Sequence, residues 1–240
     1  MVRIFIIKNI NGDTPLHKAS SDNTIKVIEL LLDYGADIHN KNINGDTPLL
    51  LSISHDSFEI VKFLLIHGSN IDVNIKNKNG DTPLHVAVHN SYEDIVKLLL
   101  NHGSDTNIRN KQGYTPLLLL LRYHEDYSDN EEVKILLDHN ANIHIKDIQG
   151  NTPLHFASYG NNIKLIKFLF NRGADIDINI KNKNGDTPLH YAATYYHATK
   201  ELIMLLLNHG SNKNIKNKDK NTPLYYAKQN NNVDIIELLT

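Results

Sequence analysis

The tripeptide Thr-Pro-Leu occurs seven times in this chain, starting at Thr14, Thr47, Thr82, Thr115, Thr152, Thr187 and Thr222, at spacings of 33, 35, 33, 37, 35 and 35 residues. A fixed period of this size restricts the fold more than composition does. One such unit is too short to bury its own apolar face, so successive copies must stack and share a continuous core. A second marker keeps the same period: a Gly followed by Ala or Ser at Gly35, Gly68, Gly103, Gly173 and Gly210, with Asn140 in the equivalent place.

Each marker has a local physical meaning. Thr before Pro is a helix start. The Thr hydroxyl can accept from a free backbone N–H, and Pro at the first helical position gives up a donor that would have no partner there. A second helix follows, with apolar residues three and four apart, as in Ile25, Ile28, Leu31 and Leu32. Gly35 and its equivalents end that helix, because a left-handed C-cap suits a residue without Cβ, and Asn140 is the next best choice. The polar stretch after it runs to Asn-Gly at Asn11, Asn44, Asn79 and Asn184, a tight-turn signal. One unit therefore reads turn, helix, helix, loop. Thr199 lacks a following Pro, so it is expected to cap more weakly than Thr152.

Four copies extend the tripeptide to Thr-Pro-Leu-His-x-Ala, beginning at Thr14, Thr82, Thr152 and Thr187; Leu50, Leu118 and Tyr225 replace the His elsewhere. On this period the pattern resembles the ankyrin repeat. The resemblance covers residues 11 to 240 and implies an all-α solenoid of stacked helix–turn–helix units with hairpin loops. The expected repeats are 11–43, 44–78, 79–111, 112–148 with an insertion between its helices, 149–183, 184–218 and a truncated 219–240. Fourteen short helices are predicted.

The copies differ in instructive places. Thr to Gly spans 21 residues in most repeats, 23 in the sixth and 25 in the fourth. In the fourth, the polar run His124 to Glu132 is expected to protrude as an acidic loop. The loops after repeats two and five share the string Ile-Lys-Asn-Lys-Asn-Gly-Asp-Thr-Pro-Leu-His at Ile75 and Ile180, which points to duplication of a three-repeat block. Residues 3 to 10 align with the loop closing a preceding repeat, and helix B of the last repeat is as apolar as inner copies. A fragment of a longer array is the expectation.

The chemistry of catalysis is not legible. No P-loop, G-x-G-x-x-G or G-x-S-x-G occurs. His85 and His89 stand four apart but lack a convergent third ligand, so no metal and no cofactor is expected. The family's motif His is implied to tie the helix start to neighbouring backbone. His67, His102 and His209 precede the Gly positions, where a cation suits a helix C-terminus. The chain has no Cys, a net charge of -2 and no apolar run longer than Leu202 to Leu207, with Leu117 to Leu121 the next. That excludes disulfides and membrane-spanning helices, gives no global pull toward nucleic acid, and suits the cell interior. No small-molecule substrate is expected, and a monomer is.

What remains is a protein partner, as yet unidentified, bound non-catalytically. The alternative is a targeting arm or fragment of a larger, possibly enzymatic, protein. The resemblance implies binding on the concave side, where the residue after the motif His points. That position holds Lys18, Leu51, Val86, Leu119, Phe156, Tyr191 and Tyr226, with Tyr123, Tyr159 and Tyr195 further out. Tyr offers large contact area and a polar tip at low entropic cost. The candidate binding residues are Phe156, Tyr191, Tyr226, Tyr159, Tyr195 and Leu119; Tyr225 is assigned to packing. Lysines at Lys76, Lys78, Lys181, Lys183, Lys213, Lys216, Lys218 and Lys220 read as solvated loop residues, or as a basic ridge facing an acidic partner.

Overall fold

Every Thr-Pro opens a helix: α1 (Pro15–Ser21), α3 (Pro48–Ser54), α5 (Pro83–His89), α7 (Pro116–Tyr123), α9 (Pro153–Tyr159), α11 (Pro188–Thr194) and α13 (Pro223–Gln229). The computed structural model describes residues 7–68, 70–123, 131–172, 175–194 and 198–240. Alternating with these helices are α2 (Ile25–Asp33), α4 (Phe58–His67), α6 (Glu93–Asn101), α8 (Glu131–Asp138), α10 (Ile163–Arg172), α12 (Lys200–Asn208) and α14 (Val233–Leu239). Among the described residues there are fourteen helices and no strand.

The starts are built as their chemistry demands. Thr14 is extended, with φ -82 and ψ 168, and its hydroxyl accepts from the His17 N–H at 3.4 Å. The His17 ring answers, its Nδ1 accepting from the Thr14 N–H at 3.2 Å. This is a capping box with His in the usual Glu position. The first helices stop within eight residues, and the turn to the second helix holds one left-handed residue: Asn23, Asp56, Ser91, Asn161 or Asn231, at φ 56, 54, 56, 52 and 53. Short polar side chains tolerate that region best.

The second helices end at left-handed Gly35, Gly103 and Gly210 and at Asn140, as the markers predict. Gly68 departs from this: its φ is -79, and a Cβ there would meet Leu64 O and Ile71 Cδ1 at 2.5 Å. Close approach, not handedness, is what it provides. Gly173 lies outside the described residues. The acidic loop also needs correction. Its residues 124–130 lie outside the described set, but Glu131 and Glu132 form the first turn of α8, where carboxylates suit the helix dipole, and Glu132 is buried.

The chain divides into two compact units. The first takes residues up to 111 with 134–140; the second takes 112–133 with 141–240. In the first, α1 packs on α3 and α3 on α5, while α2 packs on α4 and α4 on α6. Leu16, Ile28, Leu50, Ile60 and Leu64 are fully buried between them. In the second, α7, α9, α11 and α13 stack in order beside α10, α12 and α14. Leu117, Leu154, Ile166, Leu189 and Leu206 form its centre. Each such side chain contributes about 1.5–3 kcal/mol on burial. The exposed pairs Lys167–Glu201 (3.1 Å) and Lys200–Asp234 (2.8 Å) link successive second helices and add little.

The loops between repeats stack as well. In the first unit Ile43 N–H donates to Asn11 O at 2.9 Å, Lys78 N–H to Asn44 O at 2.8 Å and Lys111 N–H to Asn79 O at 2.9 Å; in the second, Lys183 N–H donates to Gln149 O at 2.8 Å and Lys218 N–H to Asn184 O at 2.9 Å. Gly185 shows how close the loops lie. Its φ is +81, and a Cβ there would stand 3.1 Å from both Asn217 Cα and Lys218 N. No described helix is long and apolar enough to cross a membrane.

Candidate protein-binding surface

The motif histidines set the frame on which the second unit's first helices sit. His155 Nδ1 accepts from the Thr152 N–H at 3.1 Å, so Nε2 carries the proton and donates to Asp186 O of the next loop at 3.1 Å. His190 repeats the pattern with Thr187 (3.1 Å) and Asn221 O (3.2 Å). Burial holds both imidazoles below the ordinary His range, His155 at about 4, so both are neutral at pH 7. They fasten one repeat to the next. In the first unit His85 is committed to Thr82 Oγ1 at 2.8 Å. Among the described residues no group of three or more His, Cys, Asp or Glu is placed to hold a metal.

The position after each motif histidine does not have uniform exposure. Lys18 is exposed, Leu51 and Val86 half-buried, and Tyr191 and Tyr226 half-buried. Phe156 and Leu119, by contrast, are only 6% and 8% exposed. That corrects the expectation that these two present themselves to a partner, because so little surface remains that they serve the packing of the unit. Tyr159 is 49% exposed and Tyr123 55%. Tyr195 lies outside the described residues. Tyr225, assigned to packing from its motif position, is 44% exposed. His155 and His190 at that position reach a carbonyl of the following loop, whereas Tyr225 meets the Tyr226 ring edge to face at 5.4 Å.

The structure gathers these tyrosines into two ring clusters, one around Tyr191 and one around Tyr226. Tyr191 reaches back to Tyr159 (6.2 Å between centroids) and to His155 (5.3 Å), and Tyr226 back to His190 (6.2 Å), all steeply inclined. Each hydroxyl is anchored at a loop: Asn182 Nδ2 donates to Tyr191 Oη at 3.3 Å, and Asn217 Nδ2 to Tyr226 Oη at 2.9 Å. Burial raises the Tyr191 hydroxyl above the usual phenol range, so it stays protonated. Tyr114 and Tyr123 on the same unit hold Arg122 near their faces, 5.6 and 5.8 Å from the ring centroids.

Sequence reasoning passed over Asn182 and Asn217. Asn182 Oδ1 accepts from the Asn184 and Asp186 N–H groups at 2.9 and 3.0 Å, shaping its own loop, while Nδ2 donates to Asn151 Oδ1 of the preceding loop at 2.8 Å. Asn217 does the same with Asp219, Asn221 and Asp186 at 3.0, 3.0 and 2.7 Å. The signal was available: an Asn or Asp recurs five residues before every motif Thr, at Asn9, Asn42, Asn77, Asn110, Asp147, Asn182 and Asn217. Both Asn182 and Asn217 are buried, and both are flanked on each side by exposed lysines, Lys181 with Lys183 and Lys216 with Lys218.

Comparison with known proteins gives one family. The family model for ankyrin repeats (3 copies) matches residues 1–76, 39–110, 65–128, 104–180 and 175–240. No curated protein matches by sequence. Among solved structures, the chain is similar to the ankyrin repeat domain of Bcl-3, described as a unique member of the IkappaB protein family, at 26% identity and a TM-score of 0.76, covering 95% of this chain and 99% of that one. With motif, helix order and family model in agreement from end to end, the chain belongs to the ankyrin repeat family.

Proposed function

We propose that the chain is a non-catalytic binding module of the cell interior that engages a protein partner through the first helices and loops of its second unit, on the side the family uses as its concave face. Ankyrin repeats generally mediate protein–protein interactions, and the fold is typically non-catalytic. The observation that carries the reading is the tyrosine group. Tyr159 and Tyr225 are 49% and 44% exposed, Tyr191 and Tyr226 are half-buried, their rings meet in the pairs Tyr159–Tyr191 and Tyr225–Tyr226, and all four are surplus to a core already filled by Leu154, Leu189 and their neighbours. Aromatics held in place before binding lose little entropy on binding, which is what interface hot spots require.

The test compares proteins retained from an extract of the producing cells by the wild-type chain, by the double variant Tyr159→Ala/Tyr225→Ala, and by Met204→Ala on the exposed side of α12. A partner held by the wild type and by Met204→Ala but lost by the tyrosine variant, with all three equally helical, is the expected result. Retention of every captured protein by the tyrosine variant would move the site elsewhere.

A further inference from the structure

We propose that the tyrosine surface of the second unit takes an acidic polypeptide segment, its carboxylates met by the lysines of two stacked loops and its apolar side chains by the tyrosines between them. The inference rests on the reading of that surface as a protein-binding site and adds the chemistry of the partner.

Charge is segregated to this edge. The whole chain is -2, yet residues 179–187 and 213–222 carry six lysines against two aspartates. One of those aspartates, Asp186, is committed to Asn217 Nδ2 at 2.7 Å. Lys181, Lys183, Lys216 and Lys218 are exposed, and their ammonium groups form no ion pair or hydrogen bond among the described residues. The corresponding lysines of the first unit differ: Lys8 Nζ donates to Lys41 O at 3.0 Å, Lys41 Nζ to Lys76 O at 2.8 Å and Lys76 Nζ to Arg109 O at 3.0 Å. There the lysines fasten loop to loop. In the second unit Lys181 and Lys216, at the same loop position, are left for something else.

Tyrosines and lysines are held in register. Tyr191 and Tyr226 are bonded to Asn182 and Asn217, and each Asn lies between the two lysines of its loop. The loops are joined by Lys218 N–H to Asn184 O at 2.9 Å. A peptide crossing the two loops meets ammonium groups beside half-buried rings twice in succession. Lys-Asn-Lys also occurs at Lys76 to Lys78, but Val86 stands there where Tyr191 and Tyr226 stand in the later repeats. Only repeats six and seven combine both elements.

Carboxylates fit better than phosphates. These two loops contain no Arg, the side chain whose fork matches phosphate. The rings are also poor stacking platforms for bases, since Tyr159, Tyr191, Tyr225 and Tyr226 already meet aromatic neighbours at interplanar angles of 71 to 87°.

Fluorescence anisotropy on the full chain tests this, with a labelled peptide of alternating glutamate and leucine, its glutamine counterpart, and a labelled oligothymidylate. The acidic peptide should bind about tenfold tighter than the glutamine peptide, and weaken about tenfold when salt rises from about 0.1 M to about 1 M, which shortens the screening length from about 10 Å to about 3 Å. Replacing Lys181, Lys183, Lys216 and Lys218 together with Gln should remove that preference; Lys78→Gln with Lys111→Gln should leave it. Equal binding of the two peptides to the wild type overturns the inference without any variant. So does an unchanged preference in the fourfold variant, or oligothymidylate binding as tight as the acidic peptide. Partner capture that needs Tyr159 and Tyr225 but survives all four Lys→Gln changes keeps the binding surface and rejects its acidic ligand.

Discussion

Tyr226 Oη accepts a hydrogen bond from Asn217 Nδ2 at 2.9 Å, nine residues back along the chain, so a first-helix ring and the loop before it are one piece. The same Asn217 closes its own loop through Asp219 and Asn221 and reaches Asp186 in the loop of the preceding repeat. Four polar contacts converge on one buried amide. Asn217→Ala should therefore cost about 3 kcal/mol, each bond contributing about 0.5–1.5 kcal/mol net, whereas Tyr226→Phe should cost about 1 kcal/mol. Urea denaturation checks both. A loss below about 0.5 kcal/mol for Asn217→Ala would show that the loop holds without it.

The neutral motif histidines make stability depend on pH, and the sign is fixed. His155 titrates at about 4 in the folded chain, below its ordinary 6.5, because burial disfavours the cation. Between those values the unfolded chain binds the extra proton, so the contribution is complete above pH 6.5 and is lost as pH falls toward 4. The loss amounts to about 3 kcal/mol. His17 and His190 are shifted the same way by burial. His155→Gln keeps a capping side chain and cannot titrate, so its stability curve should be flatter in that window. An identical pH profile in wild type and variant would refute the assignment.

Helix starts were legible because their cause is local: Thr, Pro and the third-position His act within one turn, and all seven starts fall at the Pro. The left-handed ends at Gly35, Gly103, Asn140 and Gly210 were legible for the same reason. Exposure at the candidate site was not. Phe156 and Tyr191 share one register position, yet Phe156 is buried and Tyr191 half-buried. The difference comes from the next repeat: the Tyr191 ring leans back onto His155 and Tyr159 of α9, the helix that carries Phe156. The Asn ladder stayed unread for a related reason, since its partners stand 31 residues away.

Thr152 and Thr199 both cap a helix, by different means. Thr199 Oγ1 accepts directly from the Leu202 N–H at 3.3 Å and donates to Asn161 Oδ1 at 3.0 Å, without help from a Pro. Thr152 caps α9 within a capping box, and its hydroxyl also bonds to the buried His155 Nδ1 at 2.9 Å. Each change to Ala should cost about 1 kcal/mol. The mechanisms separate in a double-mutant cycle: Thr152→Ala and His155→Ala should couple by about 1 kcal/mol, whereas Thr199→Ala and His155→Ala should add. Additivity in both cycles would mean that the hydroxyl–imidazole contact carries no stability.

Phe156 and Tyr159 stand three residues apart on α9 and divide the candidate surface from the core. Phe156 is 6% exposed, and a residue so enclosed loses contact on all sides when truncated. Phe156→Ala should cost about 3–5 kcal/mol through lost transfer energy and the cavity left behind. Tyr159 is 49% exposed, and its ring rests on Tyr191 at 6.2 Å. Tyr159→Ala should cost no more than about 1 kcal/mol, the worth of one aromatic pair at a surface. The binding effects should run the other way. With the partner identified by capture, the stable Tyr159→Ala chain should bind it at least about tenfold more weakly, since a central anchor contributes about 1–2 kcal/mol or more. Phe156→Leu, which keeps most of the volume, should restore stability and bind at full strength. Full affinity in Tyr159→Ala together with lost affinity in folded Phe156→Leu would reverse the division: the contact surface would then centre on the buried Phe156 ring, and α9 would have to open for the partner to reach it.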